Sequence, residues 1–165
     1  MRAPLEDPDP VRPGSALAGF SAFIEADPVQ RGAIHLLIVI AHDGNAAVDI
    51  INPLEFLATG VLLLDAEDAP IDLPPAGSRA KVNTRSTALR LPFRLDVFEP
   101  GNAEAMTTHF ERRDELRIGI TIDKVADGSP LPPGEYGVEI LLRIATSDAK
   151  QTRTFESAAH QFTLT

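Results

Sequence analysis

The sequence predicts an all-β fold, an antiparallel sandwich of about seven to nine strands. Three observations carry that prediction. Apolar residues alternate with polar ones at period two in several short runs, most clearly over 90–98, 116–122 and 136–144. Clusters of Pro, Gly, Asn and Asp punctuate the chain at intervals of about 8 to 15 residues. No stretch sustains the apolar spacing of an amphipathic helix.

Residues 1–18 hold four prolines and several acids without any period, the composition of a flexible Pro-rich arm ahead of a β-sandwich domain over 19–165. Phe20, Ala22 and Ile24 alternate with smaller or polar neighbours and predict a first, edge-like strand ending near Asp27-Pro28. The run 33–42 is apolar on both faces. It predicts a central strand covered on both sides, or one covered by the N-terminal arm or a partner. Its β-branched content and the Asp43-Gly44-Asn45 turn favour strand over helix. That turn predicts a hairpin to a short strand over 47–51, which Asn52-Pro53 ends because proline cannot donate to a ladder.

Residues 61–64 and 71–73 flank an acidic loop and predict a second hairpin. An irregular strand is expected over 81–85. Over 90–98, Leu91, Phe93, Leu95 and Val97 share one face, and Pro92 places that strand at an edge or a bulge. Residues 100–108 predict a loop with one helical turn over 103–106. Leu116, Ile118, Ile120 and Ile122 predict a half-buried strand. The final strand carries Phe155 and then Phe162 and Leu164, and this change from odd to even positions predicts a bulge or bend over 157–160.

The stretch before the longest strand is the most informative. Pro132-Pro133 must lie outside any ladder, and Gly134 permits the positive φ of a sharp reversal. Beyond it Tyr136, Val138, Ile140, Leu142 and Ile144 fall on one face. Glu139 and Arg143 fall on the other, which Leu141 and Ala145 leave only partly polar. The pattern Leu-x-Pro-Gly-x-Tyr over 131–136 resembles the tyrosine corner of immunoglobulin-like sandwiches. The resemblance implies an immunoglobulin-like topology with Leu131, Gly134 and Tyr136 as its structural corner, the phenol bonding backbone a few residues upstream. It implies no function.

The chain has 165 residues, no cysteine and a net charge of −9. That length suits one domain, and without thiols there are no disulfides, thiolate metal sites or Cys nucleophile. The first ten residues have no apolar h-region, and the aliphatic run 36–41 is far too short to cross a bilayer, so a soluble, cytoplasmic protein without a membrane partner is expected. Charge is unevenly placed. The first 78 residues hold three basic against twelve acidic side chains, and the remainder is balanced. An acidic chain repels phosphate backbones, so nucleic acid is not an expected partner. Within the balanced part Arg79, Lys81, Arg85, Arg90 and Arg94 follow one another with no acid between them, forming a candidate partner-binding segment. A solvated strand pair is the plainer reading of the same residues.

Sites of chemistry are sparse. His35 and His42 differ by seven positions and point to opposite faces of one strand. His109 and His160 stand in no His-x-His or His-Glu-x-x-His pattern. Asp65, Glu67, Asp68 and Asp72 supply oxygens for a hard cation, yet they lack the glycine and spacing of a calcium loop, and a solvated turn is the stronger reading. Ser157 near His160 is a coincidence of sequence, since strand neighbours do not make a triad. No nucleotide loop is present, and with no Trp and one Tyr a carbohydrate platform is not expected. No cofactor is implied.

The sequence therefore points to a non-catalytic protein–protein interaction or assembly module, such as an adaptor, inhibitor or complex subunit, that binds a protein partner or itself. Residues 102–108 and 125–130 are candidate contact loops. A metal-binding or metal-stabilised domain and a hydrolase with an unrecognised site are the alternatives.

Overall fold

The computed structural model describes residues 2–8, 11–12, 14–51, 53, 60–73, 80–83 (backbone only) and 107–165. Strands alone make up the regular structure of these residues, in thirteen segments. A five-stranded antiparallel sheet has the order β1 (Arg2–Pro4), β2 (Phe20–Glu25), β4 (Ile34–His42), β10 (Glu115–Ile122), β8 (Ala80–Asn83). A six-stranded sheet runs β3 (Val29–Gln30), β13 (His160–Leu164), β11 (Gly134–Ala145), β6 (Val61–Leu64), β7 (Pro70–Ile71), with β12 (Thr152–Glu156) paired to the far half of β11. A separate ribbon pairs β5 (Val48–Ile51) with β9 (Thr107–Phe110).

Alternation explains the layering. On β4 the even residues Ile34, Leu36, Ile38 and Ile40 are buried, and on β10 so are Leu116, Ile118, Ile120 and Ile122. From β11, Tyr136, Val138, Ile140, Leu142 and Ile144 join them, and with Leu63, Phe155 and Phe162 all belong to one apolar cluster. The inward faces of the two sheets thus share a core, each fully buried Ile, Leu or Phe contributing about 1.5–3 kcal/mol of transfer free energy.

The two-sided apolar strand is β4, as expected, and the middle of its outward face is covered from within the chain. Val39 is fully buried on that face, between Phe23 of β2 and Arg117 of β10 in the strand register. Arg117 bonds Glu25 and Glu115, while Arg2 also bonds Glu25 and sets its guanidinium 4.9 Å from the Phe23 ring. Partial burial pushes the Glu25 carboxyl up, but the hydrogen bonds and charges of Arg2 and Arg117 more than offset it, and the group lies below its ordinary value.

The N-terminal segment, expected as a flexible Pro-rich arm, carries β1. Leu5 is buried, and Glu6 exchanges two backbone hydrogen bonds with Glu156, at 2.7 and 2.8 Å. Residues 2–6 thereby run from the edge of the first sheet to β12 of the second. β2, expected at an edge, therefore lies one strand in. Leu17 is fully buried as well, held by Arg153, whose guanidinium donates to the carbonyls of Leu17 (2.9 Å) and Phe20 (2.5 Å) and to Asp7 (2.9 Å).

Three further expectations are corrected. β4 and β5 form no hairpin: β2 and β10 occupy both edges of β4, so β5 leaves the sheet and pairs with β9. The turn between them is a close approach, where the Asp43 amide donates to the Gly19 carbonyl and a Cβ on Gly19 would stand 2.5 Å from the Gly44 nitrogen. The loop expected to end at Thr108 ends sooner, because Thr107 and Thr108 belong to β9. Gly134 has φ 158°, near extended backbone, so it begins β11 and makes no reversal. The strand expected over 90–98, the helical turn at 103–106 and most of the loop 102–108 lie outside the described residues.

Candidate interaction face

The outward side of the six-stranded sheet follows from the odd positions of β11. Glu135, Glu139, Leu141 and Arg143 point away from the core, with Leu141 and Arg143 exposed and Glu139 half-buried. Across the ladder Leu62 stands opposite Glu139, and the Leu141 amide donates to the Gly60 carbonyl at 2.7 Å. On the other side Glu156 of β12 stands opposite Leu141. Gly60 offers no side chain where Leu141 needs a cross-strand neighbour, so an open depression forms, lined by Gly60, Leu62, Glu139, Leu141, Glu156 and Ser157. Leu62 is 39% exposed and Leu141 49%, and with Val29 at 64% they are the large apolar side chains exposed among the described residues. Two of the three meet at one spot, which is what distinguishes it from scattered surface leucines.

Ser157 edges the depression through the bulge. Its amide donates to the Ile140 carbonyl and its Oγ accepts from the Ile140 amide, at 2.9 and 3.0 Å. The register then slips: Glu156 faces Leu141 but His160 faces Val138, so one extra residue is accommodated over 157–159. Phe155 and Phe162 both reach the core because of it.

A second depression lies on the five-stranded sheet among Glu25, Asp27, Gln30, His35 and Thr121. Its polar groups are largely engaged with one another or with backbone. The Gln30 amide group donates to the carbonyls of Asp27 and His35 at 2.7 and 3.0 Å, and His35 Nδ1 lies 3.1 Å from the Thr121 hydroxyl.

Among the described residues, those singled out in the sequence are dispersed. Lys81 lies on β8 opposite Gly119, and Arg79, Arg85, Arg90 and Arg94 fall outside the described residues. In the acidic loop the Asp65 carboxylate accepts from the amides of Glu67 and Ala69, both at 2.9 Å, closing the β6–β7 turn, and Asp72 lies beyond β7. Asp68 sits there at φ 60°. Among the described residues no three His, Asp or Glu side chains converge to hold a metal ion. In the loop 125–130 the Asp127 carboxylate accepts from the Ser129 amide at 2.8 Å. The ring of His160 packs against Phe162, at 5.8 Å between centroids.

Two histidines have defined settings. His42 is buried against Phe20, and its Nε2 donates to the Ala46 carbonyl at 2.9 Å, leaving Nδ1 without a hydrogen-bond partner among the described residues. His109 faces Asp49 across the β5–β9 ribbon, Nδ1 to carboxylate 2.6 Å, with Glu111 at 3.7 Å from Nε2. The hydrogen bond that His109 donates to Asp49, and then the charges of Asp49 and Glu111, hold His109 above its ordinary value.

Ahead of β11, Leu131 is buried, and the Tyr136 hydroxyl donates to the Pro132 carbonyl at 2.5 Å. Burial and the charge of Asp65 push that phenol up, so it stays a donor.

No family model matches the chain, and no curated protein matches it. Among solved structures it is similar to AggA, the major subunit of aggregative adherence fimbriae type I from Escherichia coli. The identity is 13% and the TM-score 0.43, over 88% of this chain and 95% of that one.

Proposed function

We propose that the chain is an immunoglobulin-like β-sandwich serving as a non-catalytic interaction or assembly module, with the outward face of its six-stranded sheet as the contact surface. Strand order supports the architecture. The series β2-β4-β10-β8 corresponds to A-B-E-D, and β13-β11-β6-β7 to G-F-C-C′. Tyr136, near the start of the F-like strand and bonded four residues upstream, is consistent with a tyrosine corner. The functional reading does not come from the fold. It is carried by one observation, the adjoining exposure of Leu62 and Leu141 beside Gly60 on a face whose other outward residues are largely polar or charged.

A photo-cross-linking amino acid at position 62 or 141, in the cell that makes the protein, tests this. The reading expects protein adducts from both positions and few from Ser21, exposed on the other sheet. No protein adduct from 62 and 141, or equal yields from Ser21, would contradict it.

A further inference from the structure

We propose that the occupant of this face is a second copy of the chain, docked antiparallel about a two-fold axis that passes at Leu141. The proposal rests on the reading above and adds the partner's identity and orientation. It follows from the order of side chains along β11, where Glu139, Leu141 and Arg143 point outward in succession as acid, apolar and base.

A two-fold interface brings the same patch of both copies together, so the patch must complement itself. An axis lying between the two faces and crossing β11 at Leu141 reverses the strand direction. It sets Glu139 of each copy against Arg143 of the partner subunit, twice, with the two Leu141 side chains meeting between them. A parallel arrangement sets acid on acid and base on base, which is costly. The charge order therefore selects both the partner and its direction. Leu62, beside Glu139, widens the apolar centre, and Gly60 leaves the recess that an incoming leucine fills. One residue opposes the arrangement: Glu156, beside Leu141 on β12, approaches its own counterpart across the axis.

Sedimentation of the full chain over a concentration series tests the inference, with melting curves to show that each variant is folded. The wild type is expected to form a reversible dimer. Leu141→Glu should raise its dissociation constant about tenfold or more, equivalent to about 1.4 kcal/mol, and Leu62→Ser should act in the same direction. Glu139→Arg and Arg143→Glu should each weaken the dimer. Their combination should restore it, because the inverted order is again self-complementary. Glu156→Gln should strengthen it. A monomer at every concentration, a dimer indifferent to Leu141→Glu, or a double variant no better than the singles would overturn the proposal. Should the chain be monomeric while position 141 cross-links to a protein of another mass, the second-copy inference fails and the interface reading stands.

Discussion

Tyr136 is bonded to a carbonyl only four residues upstream, so its hydroxyl fixes the entry of β11. Removing it should cost what one hydrogen bond contributes. Tyr136→Phe is expected to lower stability by about 1 kcal/mol, read as a lower urea midpoint at unchanged slope. Arg153 has more at stake, since its guanidinium serves the carbonyls of Leu17 and Phe20 as well as Asp7, 4.5 Å above the Phe155 ring. Arg153→Met should cost about 3 kcal/mol, because it removes the donor to the Phe20 carbonyl, one of the donors to the Leu17 carbonyl, and a partner of Asp7. His109 makes a smaller, pH-dependent contribution. Its folded value is raised, so the stability it adds is complete below the ordinary histidine value and is lost as pH rises through the raised one. NMR titration should place His109 above an unperturbed histidine, and Asp49→Asn should bring it back toward the ordinary value. An unchanged His109 in that variant would remove Asp49 as the cause.

At the scale of elements, the bulge at 157–159 shows how one residue sets the facing of a strand. Deleting Ala158 would turn Phe162 and Leu164 outward, since side chains alternate at period two. Loss of about 4 kcal/mol or more is expected, whereas Ala158→Gly should fold normally. A deletion variant with wild-type melting would mean that the register is set elsewhere. This element was legible in advance because the parity of Phe155 and Phe162 is written in the chain. The facing of β10 and β11 was legible for the same reason. The β4–β5 connection was not, because a turn signal such as Asp43-Gly44-Asn45 reports that the chain turns and not which strand it meets next. β1 and β3 were missed because three- and two-residue strands have no period to detect. The proposed interaction face was half legible: Leu141 breaks the alternation of β11, but Leu62 is hidden in the uniformly apolar run 61–64.

For the whole molecule, the apolar excess of the central strand and the apolar exposure of the surface turn out to be separate matters. The middle of the outward face of β4 is closed at Val39 by Phe23 and Arg117, with Arg2 over the Phe23 ring, so it calls for no partner. That closure depends on charge. Because the Glu25 carboxyl is depressed, its contribution is present above the ordinary carboxylate value and lost as pH falls through the lower folded value. Glu25→Gln should therefore flatten the acid limb of the stability curve, and an unaltered limb would show that other carboxylates govern it. Among the described residues, Val29 and the Leu62–Leu141 spot on the opposite sheet stay open to solvent, and the proposed function depends on that spot being covered in the working assembly. The direct measurement is the access of a dissolved paramagnetic probe to the methyl groups of Leu62, Leu141 and Val29 over a concentration series. The account predicts that the two leucines become protected as concentration rises while Val29 stays open. Leucines as accessible as Val29 at every concentration would contradict it.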